Sequence, residues 1–369
     1  MPPFRVAACL LAALFPAPLA AQPGVTPTSA KPFTETEMAT AERPRAMTFL
    51  PDGRFLVTQQ GGQVLLFTAD ARQRVTLGGV PAFTDVQQGG LRDVVLHPQF
   101  ARNRLVYLTG VQGQDRQKVL VLIRARFAED RGPARLEGAQ VIFRTSPPML
   151  SDLHFSGRIA FSPNGAFLLL TAGERHRGDP AQDAKSTAGK VLRLRADGTP
   201  AANPLAARGF DPAVWSYGHR NLYGLAFDAA GNLWEHEMGP MGGDEVNLIR
   251  PGRNYGWPLA SNGSNYDGSD IPDHRAGDGF EPPKVWWNPS ISPSGLVIYR
   301  GAMFPEWRGD ILMGGLGSRS LYRVDLEGVR ARKAERWAMQ ARVREVEEAA
   351  DGAVWLLYDD GRIVRLARR

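Results

Sequence analysis

The chain has 369 residues, of which 43% are hydrophobic and 22% charged, proportions that are ordinary for a globular protein. Its 40 glycines and 28 prolines are spread along the whole chain, which favours many strands separated by turns. The formal net charge is +6, but acidic residues accompany the basic ones almost everywhere. The sequence has no uninterrupted basic run and no interleaving of aromatic and basic residues, the two patterns that would indicate nucleic-acid binding.

The N-terminus has the three parts of a secretory signal peptide. Arg5 precedes a short apolar stretch, and small residues end at Ala21, where we expect cleavage. The apolar stretch is too short to span a bilayer, and no later segment is long and apolar enough to do so. The only cysteine, Cys9, lies in this segment. Residues 22–369 are therefore predicted to form a periplasmic or secreted protein without disulfides.

One pattern recurs along the rest of the chain: a short apolar run, a turn rich in Pro, Asp, Asn or Gly, and a second β-rich run. Its copies are AMTFLPDGRFLVTQQGGQVLLF, LRDVVLHPQFARNRLVYLTG, GRIAFSPNGAFLLLTAGER, YGLAFDAAGNLWEHEMG, REVEEAADGAVWLLYDDGRIVRL and, more loosely, SGLVIYRGAMFPEWRGDILMGGLGSRSLYRV. The Asp-Gly and Asn-Gly pairs accept the positive φ of a tight hairpin turn.

The spacing of these copies suits the blades of a propeller, since Gly165 and Gly231 occupy the same place in two of them. The prediction is an all-β fold, a six-bladed β-propeller formed by residues 22–369 as a single domain. A pair of β-sandwiches is the alternative, but it would need a domain boundary, and no linker composition marks one.

Propellers bind ligands where the loops of several blades converge at one end of the channel. His154 lies in such a loop, in SDLHFSGRIAF, and its neutral imidazole is a candidate general base. Arg220 lies in SYGHRN; a buried guanidinium must either pair with a carboxylate or meet an anionic ligand. Of the other histidines, His97 is expected to be structural, and His176 and His274 are expected to be solvated in polar loops.

The segment GPMGGDEVN is a candidate calcium loop. Gly239 and Pro240 offer backbone carbonyls, and Asp244 and Glu245 offer carboxylates, the hard oxygen ligands that calcium prefers. The spacing differs from that of an EF-hand, and no set of histidines and cysteines indicates zinc.

Five segments occur in order across most of the chain: GGLRDVVLHPQF, HFSGRIAFSPNG, SYGHRNLYGLAFD, MGPMGGDEVNLIRPGRNYGWP and WNPSISPSGLVIY. Together they resemble the soluble aldose sugar dehydrogenases that use pyrroloquinoline quinone (PQQ), relatives of the soluble bacterial glucose dehydrogenase. The resemblance implies a six-bladed propeller, in agreement with the repeats. It also implies PQQ and Ca²⁺ as cofactors, and oxidation of an aldose sugar at C1 to the lactone with hydride transfer to the quinone.

The resemblance gives roles to single residues. His154 corresponds to the base that removes the proton of the C1 hydroxyl, and Arg220 to the arginine that polarises the quinone C5 oxygen. The other implied cofactor contacts are Gln88, Asn221, Ser290, Arg342 and Arg344. The implied calcium ligands are the carbonyls of Gly239 and Pro240 beside the quinone, and Asp244, Glu245 and Tyr255 at a second, structural site.

Three positions depart from the family pattern. Leu153 replaces an aspartate beside the catalytic histidine, so the group that orients His154 is missing or comes from elsewhere. Met238 replaces a polar residue near the calcium and the quinone, and Gly317 stands where a lysine is expected. These departures keep one alternative open, a non-catalytic propeller that binds calcium and sugar but has lost the quinone. A second alternative is a calcium-dependent lactonase, an activity that is also plausible on a six-bladed propeller.

The remaining expectations concern partners. The protein is expected to be a monomer or a homodimer without a membrane span. Because the mature chain has no cysteine for haem attachment, electrons would leave through an external acceptor.

Overall fold

The computed structural model describes residues 26–130 and 132–369. The segment interpreted above as a signal peptide, with Cys9, lies outside the described residues. The described backbone forms six four-stranded antiparallel sheets and one two-stranded ribbon. The innermost strands of the six sheets contact one another in turn around a channel, so the prediction of an all-β, six-bladed propeller is confirmed.

The strands of the first half of the chain, in order, are as follows. The chain starts with β1 (Phe33–Thr40), which belongs to the sixth blade; the first blade contains β2 (Pro44–Phe49), β3 (Phe55–Gln59), β4 (Val64–Phe67) and β5 (Arg74–Thr76); the second contains β6 (Leu91–Leu96), β7 (Leu105–Gln112), β8 (Val119–Ala128) and β9 (Arg135–Arg144); the third contains β10 (Ser156–Phe161), β11 (Leu168–Ala172), β12 (Lys190–Leu194) and β13 (Val214–Tyr217).

The strands of the second half follow the same plan. The fourth blade contains β14 (Leu222–Phe227), β15 (Leu233–Glu237), β17 (Asp244–Ile249) and β19 (Val285–Trp287), and a ribbon of β16 (Met241–Gly242) and β18 (Gly263–Ser264) projects from it; the fifth contains β20 (Pro293–Ile298), β21 (Ile311–Gly315), β22 (Ser320–Glu327) and β23 (Arg330–Ala338); the sixth contains β24 (Val343–Glu348), β25 (Val354–Tyr358) and β26 (Arg362–Arg368).

Helical structure within the described residues is limited to short turns. These are α1 (Phe100–Asn103) and four 3₁₀ turns at Asp115–Gln117, Asp179–Ala181, Ala206–Arg208 and Pro305–Trp307. Among the described residues, no helix has the length and apolar character that crossing a membrane requires.

Five of the six blades bury their second strand completely, and in the second blade only the two end residues of β7 are half-buried. The strands β3, β11, β15, β21 and β25 are buried along their whole length, and apolar side chains of neighbouring blades pack between the sheets. Runs such as LLLTA and VWLLY read as continuous apolar segments because both faces of these strands are covered.

The six strands that line the channel share one irregularity. The pairing of β2, β6, β10, β14, β20 and β24 with the next strand shifts register within the first few residues of each. Such bulges re-aim side chains locally. Because all six strands start at the same end of the channel, the bulges lie together at that end.

The ring is closed by pairing the first strand of the chain with the last. β1 is antiparallel to β26, from Phe33 opposite Arg368 to Thr40 opposite Arg362. The ring of Phe33 packs edge-on against Trp307 at 6.1 Å and Trp337 at 5.6 Å between ring centroids. This closure leaves neither end of the blade array as an open sheet edge.

Replacing Phe33 by alanine tests the closure. The variant removes a buried aromatic ring from the closing strand, and we expect it to lower the free energy of unfolding by about 3–5 kcal/mol, as large-to-small core substitutions do. Denaturant unfolding measures the change. The control is Thr36→Ala in the same strand, because Thr36 is exposed and should change stability by less than about 0.5 kcal/mol. Equal effects of the two substitutions would contradict a closing role for Phe33.

Candidate functional site

The residues expected to carry chemistry meet at the end of the channel where the inner strands begin. Gln88 precedes β6, His154 precedes β10, Arg220 and Asn221 precede β14, Ser290 precedes β20 and Arg342 precedes β24. Loops of five blades therefore contribute to one mouth of the channel.

His154 is buried and its ring is held by a carboxylate. The Nδ1 atom of His154 lies 2.6 Å from Oε1 of Glu174, a residue that follows β11 of the same blade and is fully buried. The second carboxylate oxygen of Glu174 accepts hydrogen bonds from the backbone N–H groups of Arg177 and Gly178. Glu174 thus supplies the orienting group that Leu153 cannot, and it directs Nε2 of His154 away from the bond.

These contacts set the protonation of both groups. Burial lowers the pKa of His154 below its ordinary value, the hydrogen bond to Glu174 opposes that effect, and the charge of Arg220 adds to it. Burial would raise the pKa of Glu174, but the bonds to His154 and to the backbone outweigh it and leave the pKa lowered. His154 is therefore neutral and Glu174 ionised at neutral pH, the states that a general base and its orienting group require.

The loop around His154 has a strained backbone. His154 has φ +47° and Ser156 has φ +58°, in the left-handed region that non-glycine residues rarely adopt. The neighbouring strand approaches so closely that a Cβ at Gly173 would lie 2.3 Å from the carbonyl oxygen of His154. Strain of this kind persists where surrounding contacts fix it, and it clusters at functional sites.

Gln88 lies beside this loop. Its Oε1 accepts the backbone N–H of His154 at 2.9 Å, and its backbone carbonyl accepts from Nη1 of Arg92 at 2.8 Å. Asn221 is also close, since its Oδ1 accepts the hydroxyl of Ser156 at 3.4 Å. The mouth therefore joins the second, third and fourth blades by polar contacts.

Arg220 is buried, but its guanidinium bonds to uncharged oxygens of the chain. Nη1 donates to the carbonyls of Met238 at 2.9 Å and Gly239 at 2.8 Å, and Nη2 donates to the hydroxyl of Tyr266 at 3.0 Å. Its backbone N–H donates to Glu237 at 2.6 Å. The side chain of Met238 is therefore not needed to position Arg220, because the main chain of that residue provides the contact.

Two exposed aromatic side chains lie over the histidine and the arginine. The ring of His176 is 4.7 Å from that of His154, and Tyr266 lies 6.0 Å from His176. Tyr266 is 62% exposed and its ring is 5.7 Å from the Arg220 guanidinium. His176 is exposed as predicted, but it also contacts the candidate base, and Tyr266 was missed because the long loop that carries it has no strand pattern.

Arg342 and Arg344 lie on the sixth-blade side of the mouth. The Nε atoms of both donate to Asp359, at 2.8 and 2.7 Å. Asp359 follows β25 and holds the two guanidinium groups side by side, a spacing suited to an anionic ligand. At Gly317, where a lysine is expected, a Cβ would lie 2.9 Å from Ser292 Oγ; Arg319 close by is exposed and lies on left-handed backbone with φ +47°.

The structure does not bring Asp244 to Glu245 and Tyr255, the other expected ligands of the structural calcium site. Oδ1 of Asp244 accepts the N–H of Gly239 at 2.9 Å, and Oδ2 accepts from Ser290 Oγ and from the N–H groups of Ile291 and Ser292 at 2.6, 2.6 and 2.7 Å. The carboxylate thus ties the loop at Gly239 to the segment at Ser290. The hydroxyl of Ser290 is turned to this carboxylate.

Glu245 lies on the opposite side of β17, because neighbouring residues of a strand alternate between faces. There it joins the buried carboxylates Glu235 and Glu237, and Tyr255 lies beside them with its ring stacked 4.5 Å from that of His219. Ligand atoms of His219, Glu235 and Glu237 lie within 4.8 Å of one another. Among the expected structural-calcium ligands, Glu245 and Tyr255 border this cluster and Asp244 does not.

The cluster contains buried polar atoms that the described residues do not satisfy. His219 Nδ1, Glu235 Oε1 and Asn247 Oδ1 are buried without hydrogen-bond partners. Burial, followed by the charge of neighbouring Glu237, raises the pKa values of Glu235 and Glu245 well above their ordinary range. A divalent cation would satisfy these oxygens and offset the repulsion, so the donor set fits a calcium ion.

The donors at the channel mouth also suit calcium, although Arg220 already bonds to one of them. The carbonyl of Gly239 is a hard oxygen ligand, but it accepts from Arg220, and the buried Pro240 follows it. A carbonyl has two lone pairs, so both partners can be accommodated.

The expectation that His274 is solvated is wrong. Its side chain is only 4% exposed, and a Cβ at Gly256 would lie 2.9 Å from its ring. The long loop of the fourth blade folds back and packs His274 against the backbone at Gly256, within electrostatic range of Glu245. A single loop histidine gives no periodic signal from which this contact could be predicted.

Replacing Glu174 by glutamine tests the histidine–carboxylate pair. Since the bond to Glu174 raises the pKa of His154, its loss should move the imidazole titration to still lower pH. Nitrogen-15 NMR of the ring over a pH series measures the shift. His97→Gln, far from Glu174, should leave the His154 titration unchanged. An unchanged or raised His154 pKa in Glu174→Gln would contradict the pairing.

The comparisons with known proteins identify the family and the fold. Residues 41–365 match the family model of the glucose / sorbosone dehydrogenases. The aldose sugar dehydrogenase YliI of Escherichia coli is 33% identical over 339 residues, which cover 89% of this chain and 91% of that protein. The apo form of the soluble aldose sugar dehydrogenase of Escherichia coli has a TM-score of 0.86 at 31% identity, covering 91% of this chain and 100% of the other.

A relative solved with its cofactor has the same fold. The PQQ-bound aldose sugar dehydrogenase of Streptomyces coelicolor is 30% identical, with a TM-score of 0.76, and the match covers 93% of this chain and 99% of that one. The fold, the ordered motifs and these matches, which extend over nearly the whole described chain, place the protein in the glucose / sorbosone dehydrogenase family, among the relatives of the soluble PQQ-dependent sugar dehydrogenases.

Proposed function

We propose that the protein is a periplasmic or secreted quinoprotein that oxidises aldose sugars at C1 to lactones, with PQQ and Ca²⁺ as cofactors. The observation that carries the proposal is the buried His154, whose Nδ1 is bonded to Glu174 and which lies within electrostatic range of the buried Arg220. The named relatives that bind PQQ or oxidise aldoses support it.

The chain's own groups supply the base and the electrostatic field. With Nδ1 bonded to Glu174, Nε2 of His154 is the nitrogen free to accept the proton of a sugar C1 hydroxyl. Glu174 then stabilises the resulting imidazolium, as a buried carboxylate beside a catalytic histidine does. Bound PQQ would supply the hydride acceptor.

Other residues would hold the cofactor. Arg220 would place positive charge where negative charge develops on the cofactor. Gln88 and Asn221 are already held by hydrogen bonds at the same mouth. The forks of Arg342 and Arg344 suit carboxylates, and Tyr266 offers an exposed aromatic face beside Arg220 for a planar ligand. Ser290 would act through Asp244, which fixes its hydroxyl.

Calcium has two proposed places. The carbonyls of Gly239 and Pro240 would hold the ion beside the cofactor. The structural ion would lie among Glu235, Glu237 and Glu245, with Tyr255 at the border, and this set replaces Asp244 with two carboxylates that the sequence pattern did not indicate.

One observation favours the non-catalytic alternative: Nη1 and Nη2 of Arg220 bond to carbonyls and to Tyr266, and only its buried Nε lacks a partner among the described residues, so a quinone that binds the Nη atoms must displace chain contacts. No comparable observation favours the lactonase, since the clustered carboxylates are enclosed in the fourth blade and Glu235 and Glu237 have almost no exposed surface. Reduction of an external electron-accepting dye with aldoses, saturable sugar binding without quinone, and lactone opening separate the three functions.

Reconstitution with PQQ and calcium tests the proposed reaction. The parent chain should reduce the dye with an aldose, and His154→Ala should lower kcat by about 10²–10⁴-fold, the contribution of a positioned general base, while quinone binding persists. The control His97→Ala removes a histidine remote from the mouth and should keep full turnover. Unchanged turnover in His154→Ala would refute its assignment as base.

Calcium binding at the carboxylate cluster is tested by thermal unfolding in chelator and in calcium. At a calcium concentration 100 times Kd, the parent should gain about 2.7 kcal/mol of stability. Glu235→Gln should gain less, although without calcium it should be at least as stable as the parent, because one repelling carboxylate is gone. Glu327→Gln is the control, since that side chain is 78% exposed. An undiminished calcium shift in Glu235→Gln would exclude Glu235 as a ligand.

A further inference from the structure

Three arginines and a tyrosine converge in the channel just below the mouth. Arg45, Arg92, Tyr223 and Arg344 are each the second residue of an inner strand, of β2, β6, β14 and β24. They line a narrow gap together with Asp93, Ser156, Gly157 and Arg158. We call these four residues the cationic waist.

The waist is physically joined to the mouth. Arg92 donates from Nε to the carbonyl of Ser156 at 3.0 Å and from Nη1 to that of Gln88 at 2.8 Å, and these two residues flank His154. Arg344 shares Asp359 with Arg342. A group bound at the mouth therefore has the waist directly beneath it.

The positive charge of the waist exceeds its negative partners. Among the described residues, Asp359 is the one acidic partner of Arg342 and Arg344, and the side-chain bonds of Arg92 go to uncharged carbonyls. The acidic side chains one residue further along the inner strands, Asp93 and Glu345, bond to Arg158.

Arg45 is the clearest sign of a missing anion. Its Nε atom is buried without a hydrogen-bond partner, and none of the ion pairs formed by residues 26–130 and 132–369 involves it. Burial and then repulsion by Arg344 and Arg92 lower its pKa to about 9.

Tyr223 responds to the same charges. Its ring lies 5.1 Å from the guanidinium of Arg92. Burial would raise the pKa of its phenol, but Arg92, Arg344 and Arg45 outweigh that effect and lower it to about 8. Buried unpaired guanidinium groups are costly in the absence of an anion, so the arrangement is suited to a ligand that brings negative charge.

We propose that Arg45 and Arg92, together with Arg344, bind a carboxylate group of the quinone at the cationic waist. This inference rests on the proposed function, and it adds two contacts to the cofactor residues that the sequence resemblance implies. The gap has a volume of about 10 Å³, about enough for one water-sized group, so only the oxygen atoms of a carboxylate would reach it, and the ring would remain at the mouth with His154 and Arg220. Guanidinium forks on three sides match the oxygens of one carboxylate.

Quinone affinity measured by isothermal titration tests the inference. Arg45→Gln removes the charge without touching the contacts of Arg92 to Gln88 and Ser156, and it should weaken PQQ binding about tenfold, as expected for the loss of one charge-assisted bond. Arg45→Lys should retain part of the affinity. Arg72→Gln is the control, because that side chain is 86% exposed and remote from the channel.

The trimethyl ester of PQQ separates charge from shape. It lacks the carboxylate charges, so the parent chain and Arg45→Gln should bind it with equal affinity. Thermal unfolding without ligand gives an independent readout: removing a repelled cation should leave the melting temperature unchanged or higher, whereas a merely structural arginine would lower it.

The outcomes are distinct. Failure of the parent chain to bind PQQ would overturn the proposed function and this inference together. Binding by the parent with unchanged affinity in Arg45→Gln would overturn the inference alone. An equal loss of affinity for PQQ and for its ester would also overturn it, because the loss would then not depend on the carboxylate.

Discussion

The site depends on closure of the ring. His154 belongs to the third blade, Arg220 to the fourth and Arg344 to the sixth, and residues of different blades meet only because β1 pairs with β26 and fixes the blades around one axis. The common direction of the inner strands then brings the site residues to one end of the channel. All six begin at the same end, so the loops that precede them converge without any of them needing to be long.

Closure also explains how so many charged groups can be buried. The mouth and the waist hold Arg92, Glu174, Arg220 and Arg344 with little exposure, and burying charges is unfavourable unless bonds replace water. The apolar packing between blades offsets that cost, so charged residues along the channel can be placed to bind a ligand. Electrostatic interactions there are stronger than on the surface, because water is largely excluded.

The sequence predicted the architecture and part of the site for identifiable reasons. Repeated strand–turn–strand patterns are local, so the six blades could be predicted, and residues just before inner strands, such as His154 and Arg220, follow from that register. Glu174 could have been found by a related rule: it lies two residues after the buried strand β11, which is antiparallel to the inner strand and therefore ends at the channel mouth. Glu235 and Arg45 could not: each becomes notable only when neighbouring strands or blades bring like charges together, and single-strand periodicity carries no such information.

The arrangement of Arg220 bears on how a ligand would be held. Its Nη1 and Nη2 atoms bond to the carbonyls of Met238 and Gly239 and to Tyr266, and its Nε is buried without a partner among the described residues. A ligand that binds the Nη atoms therefore exchanges existing bonds for new ones and gains only their difference. The Nε of Arg45 is also buried and unpartnered, but, unlike Arg220, Arg45 forms no hydrogen bond from its Nη atoms within the part of the chain that the structure describes, so it has no such bond to exchange. Net affinity for an anionic ligand should therefore come disproportionately from the waist, whereas Arg220 contributes where charge changes during the reaction. One group of arginines then serves mainly to bind and another mainly to stabilise developing charge, which separates affinity from catalysis on two levels of the same channel.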